Sequence, residues 1–207
     1  MSTLPLTTLL EITGLIFGIL GVLLTIRVSI WSWPMGVIST ASYALLFLHI
    51  HLYADALLHL FFVTTGLVGW FRWLRKSNAT QPFRVSYLST TARKFTLLMT
   101  TLAIITASFV FSTFTDAHIP YLDSTASSIG ATGQILQMQK KIECWYLWMV
   151  VNVMSVGIYI HKDVYLTACL YAFYCCFSVR GYLSWKKHLL SPVEKSAFAF
   201  PLPLREG

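Results

Sequence analysis

Residues 142–185, IECWYLWMVVNVMSVGIYIHKDVYLTACLYAFYCCFSVRGYLSW, read against residues 30–73, IWSWPMGVISTASYALLFLHIHLYADALLHLFFVTTGLVGWFRW, match along one ungapped diagonal at a shift of 112 residues. Ile30/Ile142, Trp33/Trp145, His49/His161, Tyr53/Tyr165, Ala56/Ala168, Leu58/Leu170, Phe61/Phe173, Gly69/Gly181 and Trp73/Trp185 are identical pairs. Extending outward adds Gly18/Gly130, Gly21/Gly133 and Leu24/Leu136, twelve identities over residues 14–76. Ordinary amino-acid usage would give roughly four or five. Two tryptophan pairs on one diagonal are hard to reach by chance, so an internal duplication is expected.

The duplicated unit is apolar. Of 207 residues, 56% are hydrophobic and 11% charged, with mean hydropathy +0.66, against roughly a quarter charged in soluble domains. A span needs about 20 mainly apolar residues. Seven are expected: 7–26, 34–50, 53–74, 95–115, 124–139, 145–161 and 164–184. The fifth, STASSIGATGQILQMQ, is polar, so it must face protein or a water-filled cavity. The N-terminal MSTLPLTTLLEITGLIF lacks a positive leader and a small-residue cleavage site, so the first span is expected to be retained.

Lys and Arg concentrate in alternate connections: Arg27, then Arg75, Lys76, Arg84, Arg93 and Lys94, then Lys140 and Lys141, then Lys186, Lys187, Lys195 and Arg205. Lys162 stands alone among the cations of the other side, with Glu11, Asp55, Asp116, Asp123 and Asp163. The positive-inside rule places the N-terminus outside and the C-terminus in the cytoplasm. The net charge of +7 thus reads as membrane orientation and not as a nucleic-acid surface. The sequon Asn78-Ala79-Thr80 then lies on the cytoplasmic side.

The expected fold is an all-α integral membrane protein with two parallel three-helix repeats joined by a linker helix. This is a 3+1+3, SWEET-like plan: 1–94, linker 95–118, 119–188 and a cytoplasmic tail 189–207. Parallel repeats are a transporter architecture, with solute held near the midplane between the halves. A duplicated receptor or scaffold bundle would share the symmetry.

On the sixth span Trp145, Trp148, Asn152, Ser155 and Tyr159 fall within an arc of about 80° at 100° per residue. An amide is costly in hydrocarbon without a partner. Beside tryptophan rings it suits a planar solute, with rings to stack on it and an amide to orient it. Gln134 and Gln137 share a face of the fifth span, with Thr132 adjacent. Tyr171 and Tyr174 form a stripe with Ser178 and Gly181 on the seventh, and Tyr43 lies on the second-span face Trp33, Gly36, Thr40, Tyr43, Phe47. The candidate binding set is therefore Tyr43, Thr132, Gln134, Gln137, Trp145, Trp148, Asn152, Tyr159, Tyr171 and Tyr174. Interhelical packing is the competing explanation for each stripe. Trp33, Trp73 and Trp185 sit at span ends, where interfacial anchoring is expected.

Other chemistries find less support. Cys144, Cys169, Cys175 and Cys176 form no CxxC or zinc spacing and read as packing residues. His51, Asp55 and His59 share a face at metal-ligand spacing, but with no fourth ligand a rim hydrogen-bond network is the expectation. There is no GxxxxGK[ST], HExxH or GxSxG motif and no mid-helix lysine in the seventh span. No enzyme activity, cofactor or metal is expected. Without acidic residues at the inferred midplane, transport should be passive.

The run WYLWMVVNVMSVGIYIHKDVYLTACLYAFY (145–174), preceded by ATGQILQMQKKIEC (131–144), and WSWPMGVISTASYALLF (31–47) resemble the Pnu family of vitamin transporters. The Trp-x-x-Trp-x-x-x-Asn run carries the likeness, which extends over most of the chain apart from 75–94 and the last twenty residues. The resemblance implies facilitated diffusion of a small vitamin precursor across the cell inner membrane, trapped by a cytoplasmic kinase, and a homotrimer. Gln134, Trp145, Trp148 and Asn152 look like the site of the nicotinamide riboside branch. Thiamine and riboflavin branches share the scaffold, and a SWEET-type sugar carrier shares the plan.

Overall fold

The computed structural model describes residues 5–51, 53–77, 84–114, 120–161 and 165–190. Among these are seven helices: α1 (Leu6–Ile26), α2 (Ser32–His49), α3 (Tyr53–Ser77), α4 (Thr90–Phe114), α5 (Pro120–Met138), α6 (Cys144–His161) and α7 (Tyr165–Leu190). Four of them, α1, α3, α4 and α6, are long and apolar enough on their own to cross a membrane. In α2 and α5 several serines and threonines return their hydroxyl protons to carbonyls one turn back, as Ser42 does to Ile38 and Thr132 to Ser128. That bond removes the donor from the apolar surroundings and lets a polar sequence remain helical.

Two helix starts differ from the expected spans by four residues or more. α5 begins at Pro120, four residues before the expected 124, because proline suits the first helical position: its missing N–H would be unpaired there in any case. α4 begins at Thr90 and not 95, because the Ser89 hydroxyl accepts the Ala92 N–H at 3.2 Å and caps the first turn.

The α1–α2 and α5–α6 turns are built alike. Val28 and Lys140, 112 residues apart, both take positive φ, 56° and 53°. Val28 N donates to Thr25 O and Ser29 N to Leu24 O; Lys140 N donates to Gln137 O and Lys141 N to Leu136 O. After each turn comes a buried tryptophan. Trp33 lies on Gly69 and meets Trp73 edge-on at 5.4 Å; Trp145 lies on Gly181 and meets Trp185 edge-on at 5.5 Å. Glycine is required at 69 and 181, since a Cβ there would overlap the indole.

Trp33, Trp73 and Trp185 are thus core residues and not interfacial anchors: Trp73 is 3% exposed and Trp185 0%. The indole N–H groups of Trp73 and Trp185 cross between the first and last three helices. Trp73 Nε1 donates to Met138 O at 3.1 Å, and Trp185 Nε1 to Thr25 O at 2.9 Å. Position in sequence alone cannot separate a ring pointing to lipid headgroups from one pointing to the partner helices.

α1 packs on α2, α2 on α3, α5 on α6 and α6 on α7, while α3 meets α5 and α1 meets α7. α4 packs on α5, through Ser108···Ser124 at 2.7 Å and Thr100···Thr132 at 3.0 Å, and shows Phe95, Leu97, Ile105 and Phe109 to the outside. The segment before it, with Val85 and Leu88 buried, straps the α5–α6 turn: Ser86 N donates to Lys140 O and Ile142 N to Ser86 O. Lys141 Nζ donates to the Ser86 hydroxyl at 2.8 Å, and Glu143 accepts from Leu88 N at 2.9 Å and Arg93 at 3.3 Å.

Candidate functional site

Between α5, α6 and α7 runs a strip of amide, indole and hydroxyl groups. Trp148 Nε1 donates to Gln137 Oε1 at 3.0 Å, with the indole lying over Gly133 and Gly130 of α5. One turn on, Asn152 is buried and its Nδ2 donates to the Ser178 hydroxyl at 3.0 Å. Ser178 spends its proton on Tyr174 O at 2.9 Å, so towards Asn152 it can only accept. That fixes the asparagine amide: nitrogen towards α7, with Oδ1 left as an acceptor. Gln137, accepting from the indole, keeps its Nε2 protons for a donor role. The strip thus offers one amide donor and one amide acceptor along a tryptophan ring.

Towards the end of the bundle away from the buried tryptophans lie two aromatic triads related by the same 112-residue spacing. Phe47 and His59 stand 5.0 Å apart with Phe62 at 6.2 Å from His59; Tyr159 and Tyr171 stack at 5.3 Å with Tyr174 at 6.1 Å from Tyr171. Their outer members reach across the bundle, because the Tyr174 hydroxyl lies 3.3 Å and Phe62 Cζ 3.9 Å from the Cβ position of Gly18 and Gly130 respectively. Tyr43 joins the triads. Its ring is 6.1 Å from Phe47 and 5.6 Å from His59 and covers Gly14, one turn along α1 from where the Tyr174 hydroxyl meets Gly18.

Residues 8–187 match the family model described as nicotinamide mononucleotide transporter. The chain belongs to that family. Similar proteins include the nicotinamide riboside transporter PnuC of Escherichia coli K12, 25% identical over 204 residues that cover 85% of this chain and 84% of the relative. PnuC of Neisseria mucosa is also 25% identical, over 181 residues covering 82% of this chain and 69% of the relative. A solved structure described as the crystal structure of the vitamin B3 transporter PnuC superposes with TM-score 0.73 at 22% identity, covering 88% of this chain and 83% of that one. The fold is that of the PnuC structure, and the relatives are transporters and not enzymes.

In this nicotinamide mononucleotide transporter family member, the ten residues singled out in the sequence separate into groups. Gln137, Trp148 and Asn152 form the strip, and half-buried Gln134 lies one turn before Gln137 on α5. Tyr43, Tyr159, Tyr171 and Tyr174 form the aromatic cluster. Thr132 turns away, its hydroxyl on Thr100 of α4. Trp145 is enclosed by Gly181 and Trp185, with a buried Nε1 that has no partner among the described residues, as in Trp33. Ser178, which orients Asn152, stood in the α7 stripe without a role, because a serine pattern does not show which neighbour it meets. The strap of Ser86 on the α5–α6 turn had no sequence signal. Of the triplet His51, Asp55 and His59, the Asp55 side chain lies outside the described residues, and His59 packs in the aromatic cluster. Two open grooves, lined by Leu6, Leu10, Leu45, Leu48 and His49 and by Leu67, Val68, Phe71, Arg72 and Arg75, share no residue with the strip or the cluster.

Proposed function

We propose that this chain carries nicotinamide riboside across the cell inner membrane by facilitated diffusion, with a cytoplasmic kinase trapping the solute by phosphorylation. The observation that supports it is the polar strip. A nicotinamide ring carries a carboxamide, one acceptor and two donors, which complements the Gln137 Nε2 donors and the Asn152 Oδ1 acceptor, while the Trp148 indole offers a face to the ring. Gln134 extends the strip towards the ribose. A hexose has no flat ring to stack, and a receptor needs no amides in its core with donor and acceptor capacity to spare.

The working arrangement is the 3+1+3 one. Trp33/Trp73 and Trp145/Trp185 lock two parallel three-helix units, α4 links them, and the basic end with Arg27, Lys140 and Lys141 faces the cytoplasm. The exposed apolar face of α4 meets lipid or, in a homotrimer, a neighbouring copy.

Proteoliposomes free of ATP and ion gradients, offered labelled nicotinamide riboside, thiamine and riboflavin in turn, test the reading. Nicotinamide riboside should equilibrate fastest, and preloaded unlabelled solute should accelerate its entry. Uptake that requires an imposed proton or sodium gradient, or a preference for thiamine or riboflavin, would overturn it.

A further inference from the structure

The solute strip uses only the last three helices, yet the first three contribute one side chain that breaks the duplication. The counterpart of Tyr43 is Ser155, small and buried, one turn inward from Tyr159 on the same face of α6. The two triads match residue for residue: Phe47 with Tyr159, His59 with Tyr171, Phe62 with Tyr174. Two matched walls related by a pseudo-symmetry axis leave a seam where they face each other. Tyr43 stands beside that seam, its ring stacked on Phe47 at an interplanar angle of 22° and lying on Gly14, one turn along α1 from where the Tyr174 hydroxyl of the other wall meets Gly18.

Its position is held from behind. A Cβ on Gly14 would come within 2.7 Å of Tyr43 Cε2, so glycine at 14 admits the ring. One turn along α1, Gly18 receives the Tyr174 hydroxyl, and Ser39 donates to Gly14 O at 2.7 Å, tying α2 to α1. The seam therefore closes on a fixed backbone, with the aromatic side chains as its adjustable parts. All of this lies on the side of the Asn152 strip remote from the tryptophan locks.

We propose that Tyr43 is the positioning residue that closes the outer entrance of the solute pathway, and that its ring must swing from the Phe47–His59 wall for solute to reach Asn152. The proposal rests on the strip being the solute site and on the basic end being cytoplasmic. A planar solute entering here would replace the Tyr43 ring against the same aromatic walls, so opening exchanges one stack for another.

The test reads access without solute. In spheroplasts, Ser155→Cys is labelled from outside with a membrane-impermeant maleimide, relative to the same chain lacking the introduced thiol. With Tyr43 present labelling should be slow. Removing the ring in Tyr43→Leu should raise the rate at least about tenfold, while Tyr43→Phe, which keeps it, should stay within about twofold. Gly14→Ala, which displaces the ring from behind and leaves Tyr43 itself unchanged, should also accelerate labelling. Size-exclusion profiles identify folded variants, and Gly14→Ala keeps the test open if Tyr43→Leu fails to fold. Unchanged rates in the folded variants, or fast labelling with Tyr43 in place, overturn the proposal. Failure of nicotinamide riboside as substrate would leave this readout untouched. Labelling that appears only from the cytoplasmic face would overturn the outer placement.

Discussion

The first and last three helices share one scaffold and differ in how closely two of their helices approach. In the first set, a Cβ on Gly21 would meet the backbone of Gly36 at 3.3 Å, so α1 and α2 touch main chain to main chain. In the second, the position of Gly36 is taken by Trp148, and Gly133 meets its indole at 3.4 Å. A bare contact has become a ring with an N–H to orient, and Gln137 accepts it. The neighbouring substitutions follow: Thr40 becomes Asn152 and Gly66 becomes Ser178. The duplication is retained where tryptophans lock the helices and abandoned where an amide strip is made, which separates scaffold from proposed site within one chain.

The comparison can be broken first at the locks. Trp73→Ala and Trp185→Ala remove equivalent buried rings and should each cost about 3–5 kcal/mol, measured as denaturant midpoints in detergent. A large loss in one set of helices and a small one in the other would show that the locks are not equivalent. At the site the asymmetry should reverse. Asn152→Leu should weaken solute binding roughly ten- to a hundredfold by removing polar contacts of about 1–1.5 kcal/mol each, whereas the counterpart Thr40→Val should change it less than about threefold. Titration of the purified variants decides, and equal losses would place the solute on the axis between both sets.

The turns sharpen the comparison further. Val28 is a β-branched residue at φ 56°, so Val28→Gly should stabilise by about 0.5–1 kcal/mol. Lys140→Gly should gain less, because the Lys140 ammonium lies 4.2 Å from the Trp73 ring centre and that contact is lost. The same turn also carries a pH-dependent effect. Burial pushes the Lys140 amine down to about 8 from its ordinary 10.5. The unfolded chain therefore holds a proton between pH 8 and 10.5 that the folded chain releases, and stability should rise through that window. Lys140→Met should flatten the rise; an identical slope in both proteins would show that the amine is not desolvated.

Much of the plan was legible because period and spacing are properties of the chain. Apolar runs of span length gave the helices, and the 112-residue diagonal gave the correspondence of Trp33, Gly69 and Trp73 with Trp145, Gly181 and Trp185. The polar face of α6 named Trp148 and Asn152, since an amide among apolar residues requires a partner wherever it lies. The partners were not legible. Whether Trp73 met headgroups or Met138 O, whether Thr132 faced α5's neighbour or the strip, and that Ser178 would direct the Asn152 nitrogen depended on which helices adjoin. A sequence determines which face of its own helix a residue occupies, because that follows from 3.6 residues per turn. Only the tertiary structure decides what that face meets, because helices far apart in the chain are brought together by packing between surfaces that no local period records.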